Sequence, residues 1–185
     1  MVLLQSIDLP IGKFKAPDFY LPATDGSNYS LKDFFDNLGL AVIFTCNHCP
    51  YAKASWPLLI DLAEEYQSQD VVFIAINPND EDIYPEDSLD VMKEKVQEWN
   101  INFPYLRDKG QDTARAYQAQ CTPDIYLFDR ERNLYYHGRL NDNWQNPEDV
   151  ESEDFRNALD RLLQGEPAPA DQFPSMGCSI KWIKR

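Results

Sequence analysis

Apolar and polar positions along the chain fall into two alternating patterns: short β-branched or aromatic runs, and longer stretches with apolar residues at helical spacing. Residues 16–21 predict a strand, Asp25-Gly26 a turn and residues 30–34 a short helical turn, together an N-terminal β-hairpin extension. Residues 40–44 are continuously apolar, the mark of a strand buried on both faces. Pro50 stands where a first helical turn tolerates proline, and Ala52, Trp56, Leu59, Leu62 and Ala63 carry the helical period to about residue 67. Residues 71–76 form the next buried strand. Leu89, Met92, Val96 and Trp99 share one stripe of a helix over residues 86–99, and a shorter helix covers residues 111–118. Residues 125–128 and 134–137 predict an antiparallel pair, and a last helix spans residues 152–163, stopped at Gly165.

The alternation describes an α/β fold in which a central mixed β-sheet is flanked by helices. At 185 residues with 43% hydrophobic content, the chain suits one domain, residues 1–165. Pro167, Pro169 and Pro174 then make a linker to a cysteine-bearing C-terminal tail. Residues 166–185 are expected to lie outside the sheet-and-helix core and not to form an independent domain.

The formal net charge of -14 excludes nucleic acid and anionic lipid as partners, since both rely on Lys and Arg for neutralisation. Residues 1–8 lack a basic segment before their apolar residues and reach a charge at Asp8, and no apolar run approaches membrane-spanning length, so a cytoplasmic location is expected. The acidic groups Asp80, Glu81, Asp82, Glu86, Asp87 and Asp90, and likewise Glu148, Asp149, Glu151, Glu153 and Asp154, are read as solvated helix starts. Lys181, Lys184 and Arg185 of the tail are expected to clamp onto this acidic body. Trp144 is expected to cover the core from a loop, with the wall of a substrate groove as its alternative, and His137 to pack or face solvent without a functional role.

The chemistry centres on Cys46-Asn47-His48-Cys49. Four cysteines are too few for a disulfide-dense secreted scaffold, and a CxxC pair in a reducing compartment points to redox chemistry or metal binding. Cys49 directly precedes Pro50, which places its sulfur at a helix N-terminus where unpaired N–H groups and the helix dipole favour the thiolate. His48 and Pro50 are thus the residues that tune it.

The order strand, cysteine, proline, helix resembles the thioredoxin superfamily. In that family the attacking cysteine lies five residues beyond the last Phe of the strand and eight before a helix-kinking proline. Phe44 and Pro57 satisfy both counts for Cys49, so the resemblance makes Cys49, not Cys46, the nucleophile. It further implies a cis-proline at Thr122-Pro123, on which substrate docks. The second thioredoxin cysteine would fall on Ala52, leaving Cys46 as the nearest resolving thiol. The opening Ala16-Pro17-Asp18-Phe19 and Leu31-Lys32-Asp33-Phe34, and the tail from Gly177 to Trp182, are similar to a peroxiredoxin-like, AhpC/TSA-related branch. Peroxiredoxins carry a Thr or Ser three residues before their reactive cysteine and an Arg on a later strand; here those positions are Cys46 and Pro123.

The resemblance thus implies a thiol-disulfide oxidoreductase without cofactor or resident metal. Cys49 attacks a disulfide substrate, Cys46 resolves it, and a thioredoxin-type partner resets the enzyme. The competing readings are a thiol peroxidase with Cys49 as its peroxidatic cysteine, and a non-catalytic redox-sensing or zinc-holding module drawing on Cys46, Cys49, Cys121 and Cys178. Cys121 is either a packed small hydrophobe or a further redox thiol near Cys49. Cys178 is either a free tail thiol or a mobile resolving cysteine.

Overall fold

A computed structural model describes residues 2–184. Its strands are β1 (Leu3–Gln5), β2 (Tyr20–Pro22), β3 (Asn28–Ser30), β4 (Gly39–Phe44), β5 (Val71–Asn77), β6 (Tyr105–Arg107), β7 (Cys121–Thr122), β8 (Asp124–Phe128), β9 (Leu134–Gly138) and β10 (Met176–Ser179). The helices are α1 (Pro50–Gln67), α2 (Leu89–Glu98), α3 (Asp112–Ala116) and α4 (Asp154–Leu163), with 3-10 turns at Leu31–Phe34, Pro85–Asp87 and Pro147–Asp149. None of the described helices is long and apolar enough to cross a membrane.

Five strands form the central mixed sheet in the order β6-β5-β4-β8-β9, parallel from β4 to β6 and antiparallel through β8 and β9. Every residue of β4 is buried, and the period of two divides its side chains between two layers. Leu40, Val42 and Phe44 pack with Phe19, Leu31, Phe34 and Tyr117 on one face, under the β2–β3 hairpin and α3. Ala41 and Ile43 pack on the other with Leu59 and Leu62 of α1 and with Phe155 and Leu159 of α4. Each fully buried Leu, Ile, Val or Phe contributes about 1.5–3 kcal/mol, so β4, which feeds both layers, ties them together. Trp56 of α1 meets Met92 of α2 and Tyr105 of β6 in a third cluster.

The tail departs from the sequence reading. Residues 176–179 are not outside the folded core: β10 is the central strand of a second, antiparallel sheet ordered β1-β10-β7. Leu3, Leu4 and Gln5 pair with Cys178, Gly177 and Met176, while Cys178 and Ser179 pair with Thr122 and Cys121. Downstream, the Lys181 amide donates to Asn79 Oδ1 (2.8 Å), and Asp80 N–H donates to the Lys181 carbonyl (2.9 Å). The expected Lys181 clamp is thus made through its backbone. Lys181 Nζ donates to Ser179 rather than to an acidic side chain. Arg185 lies outside the described residues, and Lys184 is exposed.

Close approach of β10 to β7 depends on Gly177, where a Cβ would overlap the Thr122 carbonyl oxygen. Because that obstacle is backbone, it has little room to yield. Gly177→Ala is expected to lower unfolding free energy by about 1–3 kcal/mol, measured by urea titration of the reduced protein. An unchanged midpoint would show that the β10–β7 seam tolerates a side chain.

Candidate active site

Cys49 is the N-cap of α1, with Pro50 at the first helical position and Pro57 inside the helix. Buried β4 delivers the chain to this point, and proline, lacking an N–H and holding φ near the helical value, starts the helix without loss. Thr122-Pro123 is a cis peptide bond, as the resemblance implied, and it faces the cysteine loop. The Cys49 Sγ lies 3.4 Å from the Thr122 carbonyl oxygen, and the Cys46 Sγ lies 3.2 Å from the Thr122 Oγ1.

The disulfide of the structure joins Cys49 to Cys178, with their Cα atoms 6.3 Å apart; Cys46 is a free thiol. The pairing expected from the CxxC, Cys46 with Cys49, is therefore not the one formed. The reason is positional: β10 sets Cys178 directly opposite Thr122, while the Thr122 hydroxyl engages Cys46. Cys178 is held in a sheet, not on a mobile tail. Cys46, Cys49 and Cys178 pack together with Ala52 and are 0%, 0% and 1% exposed.

Cys121 does not join them. Successive strand residues face opposite sides, so its thiol turns from Thr122's partners toward the carbonyls of Pro123 (3.5 Å) and Ser175 (4.0 Å). Burial and the Asp124 carboxylate push this thiol well above its ordinary pKa, as suits a packed small hydrophobe. Asp124 is itself buried against His137 Nε2 (2.8 Å) and Tyr126 Oη (3.2 Å). His137 is thus a packed histidine, beneath the cis-proline strand.

One carboxylate overturns the solvated-surface reading of the acidic run. Asp87 is fully buried. Its Oδ1 accepts from the Asn47 amide (2.7 Å) and Asn77 Nδ2 (3.2 Å), and its Oδ2 accepts from Asn79 Nδ2 (2.9 Å) and lies 2.6 Å from His48 Nδ1. Burial pushes the Asp87 pKa up, but these donors override it and hold the carboxyl below its usual range. For His48, burial disfavours the charged ring, yet the hydrogen bond to Asp87 and the Cys46 sulfur outweigh that and raise its pKa to about 9. Tyr84 stacks on the His48 ring with centroids 4.0 Å apart, and Lys181 Nζ sits 5.6 Å over Tyr84. Cys46 therefore faces an imidazolium, with the Lys181 ammonium close behind. Neither Asp87 nor Lys181 was legible as part of the site: only fold-dependent contacts lift them out of charged runs.

Cys46 Sγ, a His48 ring nitrogen and an Asp87 oxygen all lie within 4.8 Å of one another, a spacing that suits a metal. The donors do not fit one. His48 and Asp87 are already spent on each other, and the remaining Asp87 lone pairs are taken by three protein N–H donors. The four-cysteine zinc set fails as well, because Cys49 and Cys178 are bonded to each other and Cys121 faces away.

A groove of about 570 Å3 runs beside the cis-proline, walled by Tyr51, Pro57, Pro123, Trp144, Phe173 and Met176. Trp144 does not cover the core; it stacks on Tyr51 of the first α1 turn, centroids 3.9 Å apart, and forms one wall of the groove.

The His48–Asp87 pair predicts a pH-dependent stability. The contribution of His48 is complete below its unfolded pKa of about 6.5 and is lost as pH rises through about 9; that of Asp87 is present above about 3.8 and lost in acid. Oxidised wild type is expected to exceed oxidised Asp87→Asn by about 3 kcal/mol near pH 6, with the gap narrowing as pH passes 9 in urea titrations. A gap independent of pH from about 6 to 10 would mean that the pair is not ionic.

Thiol-disulfide oxidoreductase ResA of Bacillus thuringiensis subsp. konkukian is 27% identical over 123 residues, 66% of each chain, so the match spans about two thirds of that relative's length. An uncharacterized conserved protein from Geobacillus kaustophilus has a crystal structure that superposes with a TM-score of 0.95 at 44% identity, covering 100% of this chain and 98% of that one. A putative thiol:disulfide interchange protein DsbE from Chlorobium tepidum shares the thioredoxin-like fold, with a TM-score of 0.68 at 21% identity, over 84% of this chain and 99% of its own. The AhpC/TSA family model matches residues 13–137, from before the β2–β3 hairpin through the cysteine loop and the cis-proline to β9, and the chain belongs to that family.

Proposed function

We propose that the protein is a thiol-disulfide oxidoreductase whose nucleophile is Cys49. The observation that carries this is the meeting of Cys49, at the N-cap of α1, with both the Thr122 carbonyl and the Cys178 sulfur. A helix N-terminus stabilises a thiolate, and a second thiol within bonding reach lets the first attack a disulfide and then be released.

The steps balance without a cofactor. The Cys49 thiolate attacks one sulfur of a substrate disulfide, forming a mixed disulfide and expelling the other sulfur as a thiolate. The Cys178 thiolate then attacks Cys49, forming Cys49–Cys178 and expelling the second substrate thiolate. A thioredoxin-type dithiol reduces this bond and returns the enzyme to its starting state. The groove beside Pro123 is the approach for substrate, with Tyr51 and Trp144 as its aromatic wall. ResA, similar over two thirds of its length, is named for the same reaction. Peroxide reduction lacks support: the positions that would polarise a peroxide are Cys46 and Pro123.

Reduction of a peptide disulfide with dithiothreitol as reductant is expected to proceed in wild type and to fall to background in Cys49→Ser. A Cys46→Ser/Cys178→Ser double variant, left with no neighbouring thiol to resolve Cys49, should accumulate a mixed disulfide visible by intact mass. Full activity in Cys49→Ser, or rapid peroxide consumption by a wild type that reduces no disulfide, would overturn this reading.

A further inference from the structure

Cys46 has no part in the steps above, yet it is fully buried, free, and set between a charged pair and the disulfide. A thiol used only for packing needs no such surroundings. Three sulfurs converge on one residue: Cys46 touches the Thr122 hydroxyl, Cys49 the Thr122 carbonyl, and Cys178 stands opposite Thr122 in the β10–β7 register. Four charged or titratable groups surround Cys46, each from a different element: His48 from its own loop, Asp87 from the Pro85–Asp87 turn, Tyr105 from β6 and Lys181 from beyond β10. Of these, His48 and Lys181 bring positive charge to the side of the Cys46 sulfur, and Asp87 is spent on His48.

We propose that Cys46 is an internal exchange nucleophile which, activated by the His48–Asp87 pair, attacks Cys49 of the Cys49–Cys178 disulfide and moves the disulfide onto Cys46–Cys49. This deepens the oxidoreductase reading and rests on it. The Cys46 proton is lost to solvent, and the sulfur then stands as a thiolate beside the His48 imidazolium. The Cys46–Cys49 bond forms as the Cys49–Cys178 bond breaks, and Cys178 leaves with the electron pair and takes a proton from solvent in place of the one Cys46 gave up. One disulfide is present before and after, so no outside oxidant or reductant enters. His48 and Asp87 act as positioning residues, holding charge beside the attacking sulfur. The consequence is local: β10 loses its one covalent tie to α1, and its thiol becomes free while the oxidising equivalent stays in the cysteine loop. The CxxC disulfide expected from the sequence then exists as the second of two oxidised isomers.

The test needs only the full-length protein carrying one disulfide. Oxidised wild type is incubated with a small excess of iodoacetamide at neutral pH, quenched in acid, and digested for mass spectrometry. Label is expected on Cys178, together with a Cys46–Cys49 linked peptide. In oxidised Cys46→Ser, which changes one atom, labelling of Cys178 should fall at least about tenfold. In His48→Asn it should slow about tenfold, and its rate should lose the inflection near His48's pKa that wild type shows. If His48→Asn does not fold, the comparison of wild type with Cys46→Ser decides alone. Cys46 as the sole labelled thiol of oxidised wild type, or Cys178 labelling equal in wild type and Cys46→Ser, would overturn the exchange. Because wild-type disulfide reduction is assayed separately, an active enzyme with a protected Cys178 loses only the exchange, whereas an inactive enzyme loses the oxidoreductase reading.

Discussion

Thr122 is held from one side by the β10 backbone and presses from the other on the cysteine loop. Its carbonyl and hydroxyl each meet a sulfur, and its register partner across the seam is the third cysteine. The approach of the two strands exists because residue 177 has no side chain. Everything distinctive about the site follows from that seam: which thiol pairs with Cys49, which stays free, and which residues beyond β10 are carried into range. Move β10 outward by the width of a methyl group, and Cys178 no longer stands opposite Thr122.

Electrostatics ties the same tail to the loop. A buried carboxylate is costly in a chain of net charge -14 unless its oxygens are satisfied. Asp87 is satisfied by two asparagine side chains, one loop amide and one histidine. Asn79 also accepts from the Lys181 backbone, and Gln111 Nε2 donates to the Pro78 and Lys181 carbonyls. The cage that satisfies Asp87 therefore anchors the segment after β10, and Lys181 comes to rest over Tyr84, which stacks on the His48 ring. Charge placement beside Cys46 and the position of Cys178 depend on one hydrogen-bonded unit.

Local patterns in the sequence carried the long elements well. The run from Leu40 to Phe44 can only be a doubly buried strand, and Pro50 with the Ala52–Trp56–Leu59 period marks α1 from its first turn. The cysteine at the helix start and the cis-proline facing it were legible through fixed spacings in the resemblance. What escaped depends on contacts distant in sequence. A short strand containing Gly177 and Cys178 shows no period, and its identity as β10 is set by partners more than fifty residues away. Asp87 looks like its acidic neighbours until the fold brings Asn47, Asn77 and Asn79 around it. Parity decides between the two readings left open for Cys121, since adjacency to Thr122 in a strand means facing away from what Thr122 touches.

Burial imposes an order on the proposed reaction. With the disulfide closed, Cys49 and Cys178 are shielded from solvent and the groove at Pro123 ends short of the sulfurs, as neither cysteine forms part of its lining. A reductant must therefore meet a form in which β10 and the start of α1 have separated. The Cys49–Cys178 bond opposes that separation directly, because it is the covalent tie between the two elements. Transfer of the disulfide to Cys46 removes the tie without spending the oxidising equivalent, leaving non-covalent contacts, the pairing with β1 and β7 and the anchors after the strand, to hold β10 in place. On this reading, access to the active site is governed by which of two thiols Cys49 is bonded to, and the His48–Asp87 pair sets how quickly one gives way to the other.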